Sequence, residues 1–424
     1  MMLGVVITME NSNIQLLGLL KSAKENIPFY AEALEKCILK DVELDIFEVL
    51  DSIPIIEKKY IKKDYKKFVS TYIWNDKCEE MFYGEKDFSR EEKNLIGEKR
   101  FVTECTSGTS GTPFMCIKSQ QERFLLGKKM WRLRNSIMDV SPKQMFSFMH
   151  SSENSFPNFK TEDAHIRTGL ELEYLMQSVY SWWHIYPRKL NNYYEYLHEE
   201  NKVFKGRLKV IETNGAYVSA VEKEQYEKCF NSKLVNNYGC REVWTIAYDC
   251  GQGYMHINEE AVYVELVDEN NKLICGANQV GYIVVTSLLL KSMPFIRYKT
   301  GDMGYFIAGE CRCGCKGKRI VIEPNRSKIL GTNLYGNTIF KEVVAFMNQV
   351  YDVTQYETIS IGQYGDNYFK VFIWKNLEPK TKIENAFIES TKFFLKMNKL
   401  EYEFVYDSKL EAKSLFFVGM KEGY

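Results

Sequence analysis

Neither sign of charge is in excess: 56 Lys and Arg face 56 Asp and Glu. No net field therefore draws the chain toward nucleic acid or an anionic membrane, and any phosphate it binds must be gripped locally. Long hydrophobic runs are missing too. The longest apolar stretch, GYIVVTSLLLKSMPFI from Gly281, is cut by Lys291 and Pro294 and rich in β-branched residues, which predicts a buried strand and no membrane span. The opening segment MMLGVVITMENSNIQLLGLLKSAKE lacks a basic leading region and is interrupted by Glu10 and Lys21, so no secretory signal is expected and the protein is placed in the cytoplasm. There is no internal repeat and no low-complexity tract, which argues against solenoids and scaffolds. Histidine is scarce, at five, whereas cysteine reaches eleven; without a secretory signal these thiols are expected reduced or bound to metal before disulfide-bonded.

What is present, 424 residues at 45% hydrophobic, suffices for two or three packed units. Residues 1–97 show apolar positions at three- and four-residue spacing among Lys and Glu, the pattern of amphipathic helices in a helical lead-in. From 98 to 326, short β-branched runs such as LKVIET, AVYVEL and GYIVVTSL alternate with helical stretches, predicting mixed sheets wrapped by helices. Residues 327–424 read as a small α+β domain, with helices near Lys341–Val350 and Lys382–Met397 and strands at Glu357–Ile361, Tyr368–Trp374 and the end. The fold class is thus α/β and α+β: a large domain plus a small C-terminal domain, which the resemblance described below implies is carried on a hinge.

One loop carries unusual chemistry. Thr106, Ser107, Gly108, Thr109, Ser110, Gly111, Thr112 and Pro113 pack five hydroxyls and two glycines into eight positions after the apolar pair Phe101 and Val102. Glycines let backbone N–H groups approach phosphate oxygens, and the hydroxyls add donors without bulk. The Gly-Lys-Ser/Thr ending of the common phosphate loop is absent, so this is either a different phosphate loop or a flexible surface turn.

The loop resembles the phosphate loop of the acyl-adenylate-forming ligases, in the branch of phenylacetate–coenzyme A ligases and capsule-synthesis-type relatives. Four further stretches are similar and in the same order: Asn214-Gly215-Ala216, Asn237-Tyr238-Gly239 with Glu242, Tyr298-Lys299-Thr300-Gly301-Asp302, and Asn325-Arg326-Ser327-Lys328. Ile27-Pro28-Phe29-Tyr30 is similar to the branch's early apolar signature, so the resemblance spans nearly the whole chain. It implies that Asn214 to Ala216 with Asn237, Tyr238 and Gly239 form an adenine slot, the Tyr238 ring offering a stacking face. Glu242 would hold Mg²⁺, a hard cation that prefers carboxylate oxygen. Asp302 would accept from both ribose hydroxyls, Arg326 would bind ribose or phosphate oxygens, and Lys328 would be the hinge. Glu411-Ala412-Lys413 resembles the branch's Glu-Gly-Lys, which makes Lys413 the cation for adenylation, with Lys409 and Lys421 as alternatives. Two departures stand out: Ala412 replaces the family's glycine, and Arg241 replaces a hydroxyl residue.

Cys250, His256 and the run Cys311-Arg312-Cys313-Gly314-Cys315 supply the soft donors that zinc favours. They resemble the Cys, His and Cys-X-Cys-Gly elements of the same branch, some of whose members hold structural zinc there. The expected ligands are Cys250, His256, Cys311 and Cys313, with Cys315 a substitute or bystander; the alternative is a set of reduced core thiols.

The implied reaction uses ATP and Mg²⁺ to turn a carboxylic acid into an acyl-adenylate, then transfers the acyl group to coenzyme A, with the small domain reoriented between steps. A carrier-protein phosphopantetheine is the alternative acceptor, and a nucleotide-binding protein without catalysis the alternative class. A homodimer is compatible with the resemblance. Met149, His150, Ser151 and Ser152, with Tyr180, Ser181, Trp182, Trp183 and His184, fall where an acyl pocket is expected; an aromatic lining would suit an aryl or arylacetic acid, and core packing is the other reading of these rings.

Overall fold

The computed structural model describes residues 3–37, 46–83, 101–106, 114–139, 146–148, 164–215, 220–252, 254–326, 359–363, 368–374 and 401–407, with a few isolated positions between them. The chain divides into two compact units: Met1–Thr103 with Ile117–Thr300 and Gly304–Ile322, and Glu104–Cys116 with Gly301–Met303 and Glu323–Tyr424.

The lead-in is helical, with helices at Leu3–Asn26, Pro28–Ala33, Ile46–Ser52, Lys58–Lys63 and Asp76–Tyr83. Between the third and fourth lies the short strand β1 (Ile56–Glu57). Strands β2 (Phe101–Thr106) and β3 (Phe114–Ser119) pair as a two-stranded sheet. Then come β4 (Phe146–Phe148), β5 (Trp182–Ile185), β6 (Val210–Asn214), β7 (Lys233–Cys240), β8 (Trp244–Asp249), β9 (Met255–Ile257), β10 (Val262–Val267), β11 (Gly281–Ser287), β12 (Tyr298–Ile307) and β13 (Arg319–Arg326). These ten form one sheet in the order β10-β11-β12-β13-β9-β8-β7-β6-β5-β4, and β1 pairs with β12 to make an eleventh strand.

Strands β4 to β7 are parallel. Parallel neighbours need crossovers, and the helices Ala164–Gln177, Pro187–Glu199 and Ala220–Phe230 supply them. In Pro187–Glu199, proline takes the first turn, where its missing N–H costs nothing. Its Leu190, Tyr193 and Leu197 repeat at helical spacing and are buried with Trp183, Ile211, Phe230 and Leu234 in one core cluster. From β7 onward the order turns antiparallel through β8, β9 and β13. As expected, the LKVIET, AVYVEL and GYIVVTSL runs are strands, and β11 is buried almost throughout.

The helix Gln120–Ile137 starts on a capping box: the Ser119 hydroxyl accepts from the Glu122 amide at 3.1 Å, and the Glu122 carboxylate accepts from the Ser119 amide at 2.6 Å. The same carboxylate accepts from the Ser292 amide and hydroxyl at 2.8 and 2.7 Å, so one buried acid both starts the helix and holds the turn after β11.

In the second unit β14 (Ile359–Gln363) runs antiparallel to β15 (Tyr368–Trp374), which is parallel to β16 (Glu401–Asp407). Between β15 and β16, Glu384, Asn385 and Ile388 are helical. The helix expected at Lys341–Val350 lies outside the described residues.

Arg297 joins the lead-in to the sheet. Its guanidinium, 7% exposed, pairs with Glu265 at 3.0 Å and Asp51 at 3.2 Å. It also donates to the carbonyls of Leu50, Asp51 and Ile53 at the end of the helix Ile46–Ser52, where a cation favours the helix dipole. Burial raises the Glu265 carboxyl against the pull of Arg297. Arg297→Ala should cost about 3–5 kcal/mol of unfolding free energy, because it strands a buried acid. Chemical denaturation measures this, and a loss under about 1 kcal/mol would contradict it.

Candidate functional site

In open α/β sheets ligands gather beyond the carboxyl ends of the parallel strands, and two of the motifs singled out by sequence meet there. Asn214 ends β6 and is the Cα partner of Asn237 near the end of β7. Gly215 follows at φ +80°, a left-handed conformation that suits glycine. A side chain at Gly215 would press on the ring of Tyr186, just past β5, at 3.0 Å, so Tyr186 belongs to this rim although no sequence signal marked it. The Asn214 Oδ1 atom is buried and meets no donor among the described residues. An amino group such as that of adenine would satisfy it.

Beneath the rim lies a buried acid. Glu212, fully buried, accepts two bonds from the Arg134 guanidinium, at 2.7 and 2.9 Å. It also accepts from Trp182 Nε1 at 3.1 Å, Asn237 Nδ2 at 2.9 Å and Tyr248 OH at 3.1 Å, and His184 Nε2 lies 3.4 Å away. Burial alone would raise this carboxyl, but His184 and Arg134, together with the hydrogen bonds of Arg134 and Asn237, bring it down to about 2. Burial pushes the His184 imidazole down to about 4, with Glu212 opposing and Arg134 adding to the shift. The Asn237 Nδ2 group thus ties β7 to the buried acid below the rim.

The hairpin that follows is shaped by close backbone approach. At Gly239 a Cβ would lie 2.0 Å from the Trp244 carbonyl oxygen, so only glycine lets β7 and β8 close, and the register shifts at Tyr238/Gly239. Trp244 takes φ +64°. The fully buried Lys118 donates to the Arg241 carbonyl at 2.8 Å, holding the hairpin tip from β3. Tyr238 is half-buried on this hairpin.

Glu242, 2% exposed, lies at the same tip. Its Oε1 accepts from Tyr298 OH at 2.8 Å and pairs with Lys58 Nζ at 3.0 Å. Burial works against its ionisation, but Lys58 and Tyr298 hold its carboxyl below the usual range. Mg²⁺ needs near-ideal octahedral geometry and usually keeps several waters. A buried carboxylate whose oxygen already faces an ammonium does not fit that ion.

Cys250, His256, Cys311 and Cys313 come together with all ligand atoms within 4.8 Å of one another. The Cys250 and Cys311 sulfurs are 3.7 Å apart, and Cys313 Sγ is 3.4 Å from His256 Nε2. Zn–S bonds of about 2.3 Å and Zn–N bonds of about 2.0 Å imply tetrahedral edges of roughly 3.8 and 3.5 Å, so the donor set fits zinc. Gly314 at φ +79° closes the Cys-X-Cys turn. Its amide donates to the Cys311 carbonyl and that of Cys315 to Cys313 Sγ. Cys315 itself stands outside the four. Burial opposes ionisation of Cys311, but bonds from the Cys313 backbone, His256 and the neighbouring thiols bring it to about 6.

In the second unit, Thr106 ends β2, and the unit groups Glu104–Cys116 with Gly301–Met303. Asp302 is half-buried inside β12; Gly301, at φ +87°, takes the irregularity. Arg326 is the last residue of β13. Ser107, Gly108, Thr109, Ser110, Gly111, Ala216, Lys328, Lys413 and Met149 to Ser152 lie outside the described residues. Trp182 and Trp183 are fully buried core residues, which decides between the two readings of these rings. Tyr180, with Tyr174 and Val179, lines a small open cavity of about 320 Å³.

No family model matches the chain. It is 29% identical over 96 residues to the phenylacetate-coenzyme A ligase of Thermus thermophilus, a stretch covering 22% of this chain and 22% of that relative's length. Among solved structures it is similar to 2-hydroxyisobutyryl-CoA ligase in the postadenylation state with 2-HIB-AMP, at TM-score 0.60 and 17% identity, covering 94% of this chain and 86% of that one. It is also similar to a structure from work on fatty acyl-adenylate ligases of E. coli and L. pneumophila, at TM-score 0.51 and 12% identity, covering 74% and 68%. The fold is that of the acyl-adenylate-forming ligases, the superfamily that the motifs resemble. Among the described residues, no helix is long and apolar enough to cross a membrane.

The buried acid and imidazole predict the pH response. His184, depressed in the fold, stays neutral while its unfolded counterpart protonates, so stability falls as pH drops from about 6.5 to about 4. Glu212, also depressed, contributes above about 4.5 and loses that contribution as pH falls toward about 2. Relative to His184→Gln, the wild-type chain should lose on the order of 2–3 kcal/mol between pH 7 and pH 4 in urea titrations. A difference independent of pH over that range would contradict it.

Proposed function

We propose that this chain uses ATP to activate a carboxylic acid as an acyl-adenylate and then passes the acyl group to the thiol of coenzyme A. The observation that carries this reading is the placement of Asn214-Gly215 beside Asn237-Tyr238 at the carboxyl ends of β6 and β7, where the buried Asn214 Oδ1 meets no donor among the described residues. Support also comes from the fold, whose solved examples include a ligase bound to an acyl-AMP and coenzyme A.

In the first step a carboxylate oxygen bonds to the α-phosphorus, the bond to the bridging oxygen breaks, and pyrophosphate leaves. Two anions must meet, so positioning and preorganised donors do most of the work. The backbone amides and hydroxyls of Thr106, Ser107, Gly108, Thr109, Ser110 and Gly111 would cradle phosphate, Lys413 would steady the carboxylate and α-phosphate, and Asp302 and Arg326 would take the ribose side. In the second step a thiolate attacks the activated carbonyl and AMP leaves. The likeness to phenylacetate-coenzyme A ligase supports an aromatic or arylacetic acid as the substrate; Trp182 and Trp183, being core, add nothing to that reading.

Zinc on Cys250, His256, Cys311 and Cys313 would be a structural clip. Four protein ligands close the shell and leave no position for a reacting water.

Pyrophosphate release against a panel of carboxylic acids tests the adenylation reading: release with at least one acid, followed by thioester on adding coenzyme A, is expected, and a folded protein silent with every acid would overturn it. Lys413→Ala should lower adenylation by about 100-fold or more, the scale of losing one transition-state donor, while sparing thioester formation from a synthetic adenylate. Metal analysis should find one zinc per chain, lost in Cys311→Ser; well under one equivalent in the wild-type chain would reject the clip.

A further inference from the structure

Where the resemblance placed a magnesium ligand, the chain has built an ion pair. Glu242 lies four residues beyond Tyr238 on the β7–β8 hairpin, and its carboxylate is 3% exposed. Lys58 reaches it from the lead-in. That lysine opens the helix Lys58–Lys63 directly after β1, and β1 pairs in parallel with β12 through Ile56↔Tyr298 and Glu57↔Lys299. The backbone ladder thus brings the start of the Lys58 helix alongside β12, and the Lys58 and Tyr298 side chains converge on one oxygen, Oε1, at 3.0 and 2.8 Å. A second ammonium stands one helical turn on, at Lys62, whose pKa is lowered by burial and by the charge of Lys58. A divalent ion on that oxygen would have to displace the tyrosine hydroxyl and sit against the ammonium.

We infer that Lys58 is the resident counter-ion of Glu242, and that Lys58, Glu242 and Tyr298 form a positioning clamp that fixes the Tyr238 hairpin to β12 in place of a metal site. The consequence for function rests on the adenylating reading above: the hairpin that would receive adenine is locked by residues of the chain itself, and Glu242 is a positioning residue. The three groups come from three separate segments, so the clamp also ties the helical lead-in to the central sheet.

The test needs neither nucleotide nor acid, so its outcome is separate from the fate of the ligase reading. Mn²⁺ alone is titrated into the full chain, with free Mn²⁺ followed by electron paramagnetic resonance, for the wild type, Glu242→Gln and Lys58→Met. The clamp predicts that wild type and Glu242→Gln bind Mn²⁺ alike, within about twofold. Thermal midpoints supply the second readout: Lys58→Met and Glu242→Gln should each fall by several degrees, the double variant should fall no further than the worse single, as expected of directly coupled partners, and Lys58→Arg should restore most of the loss. Mn²⁺ binding that weakens about tenfold or more in Glu242→Gln yet is unchanged in Lys58→Met would overturn the proposal. Strictly additive losses in midpoint would overturn it as well.

Discussion

A carboxylate with no access to water must have its lone pairs filled, or the fold is destabilised by several kcal/mol. Glu212 is such a group, and its donors come from four separate elements: Arg134 from the helix Gln120–Ile137, Trp182 and His184 from β5, Asn237 from β7 and Tyr248 from β8. Because every donor must reach the same two oxygens, their strands and helix are held in one relation to another. The register of β5, β6, β7 and β8 follows from this as much as from the ladder itself, since a one-residue slip would carry the donors to the opposite face.

The rim inherits that rigidity. Asn214 stands two residues past Glu212 on β6, and Tyr238 stands one past Asn237 on β7, so the surface that would receive a flat heterocycle is braced from directly below. At the hairpin tip Gly239 allows backbone closure, Lys118 holds the Arg241 carbonyl, and Lys58 with Tyr298 holds Glu242. Sites held by locked rotamers on strands are more exact than sites on free loops, and this one is locked on both sides of β7.

Local pattern made part of this legible. The β-branched runs marked β6, β10 and β11, and donor type together with the family resemblance named the four Cys and His groups that the fold brings within 4.8 Å. The fold class followed from alternation of such runs with helical stretches, helped by motif order. The Glu212 network was not legible, because Arg134 and Glu212 are 78 positions apart and no short-range periodicity links them. For the same reason Lys58 gave no sign of its bond to Glu242, and the Glu242 spacing suggested a metal where a lysine sits. The tryptophans of β5 could be assigned to core only once Phe204, Tyr193 and Phe230 were seen around Trp183. Nor did the Tyr298–Asp302 motif announce that it lies inside a strand, β12, whose left-handed position falls on Gly301.

The central claim is that the ends of β6 and β7 form the floor of a nucleotide site. Hydrogen exchange on the full chain, with and without an acyl-sulfamoyl-adenosine that mimics the adenylate, tests it most directly. Slowed exchange in the segments 214–216 and 237–245 on saturation is the result expected. Saturable binding that leaves both segments exchanging at their free rates would contradict it.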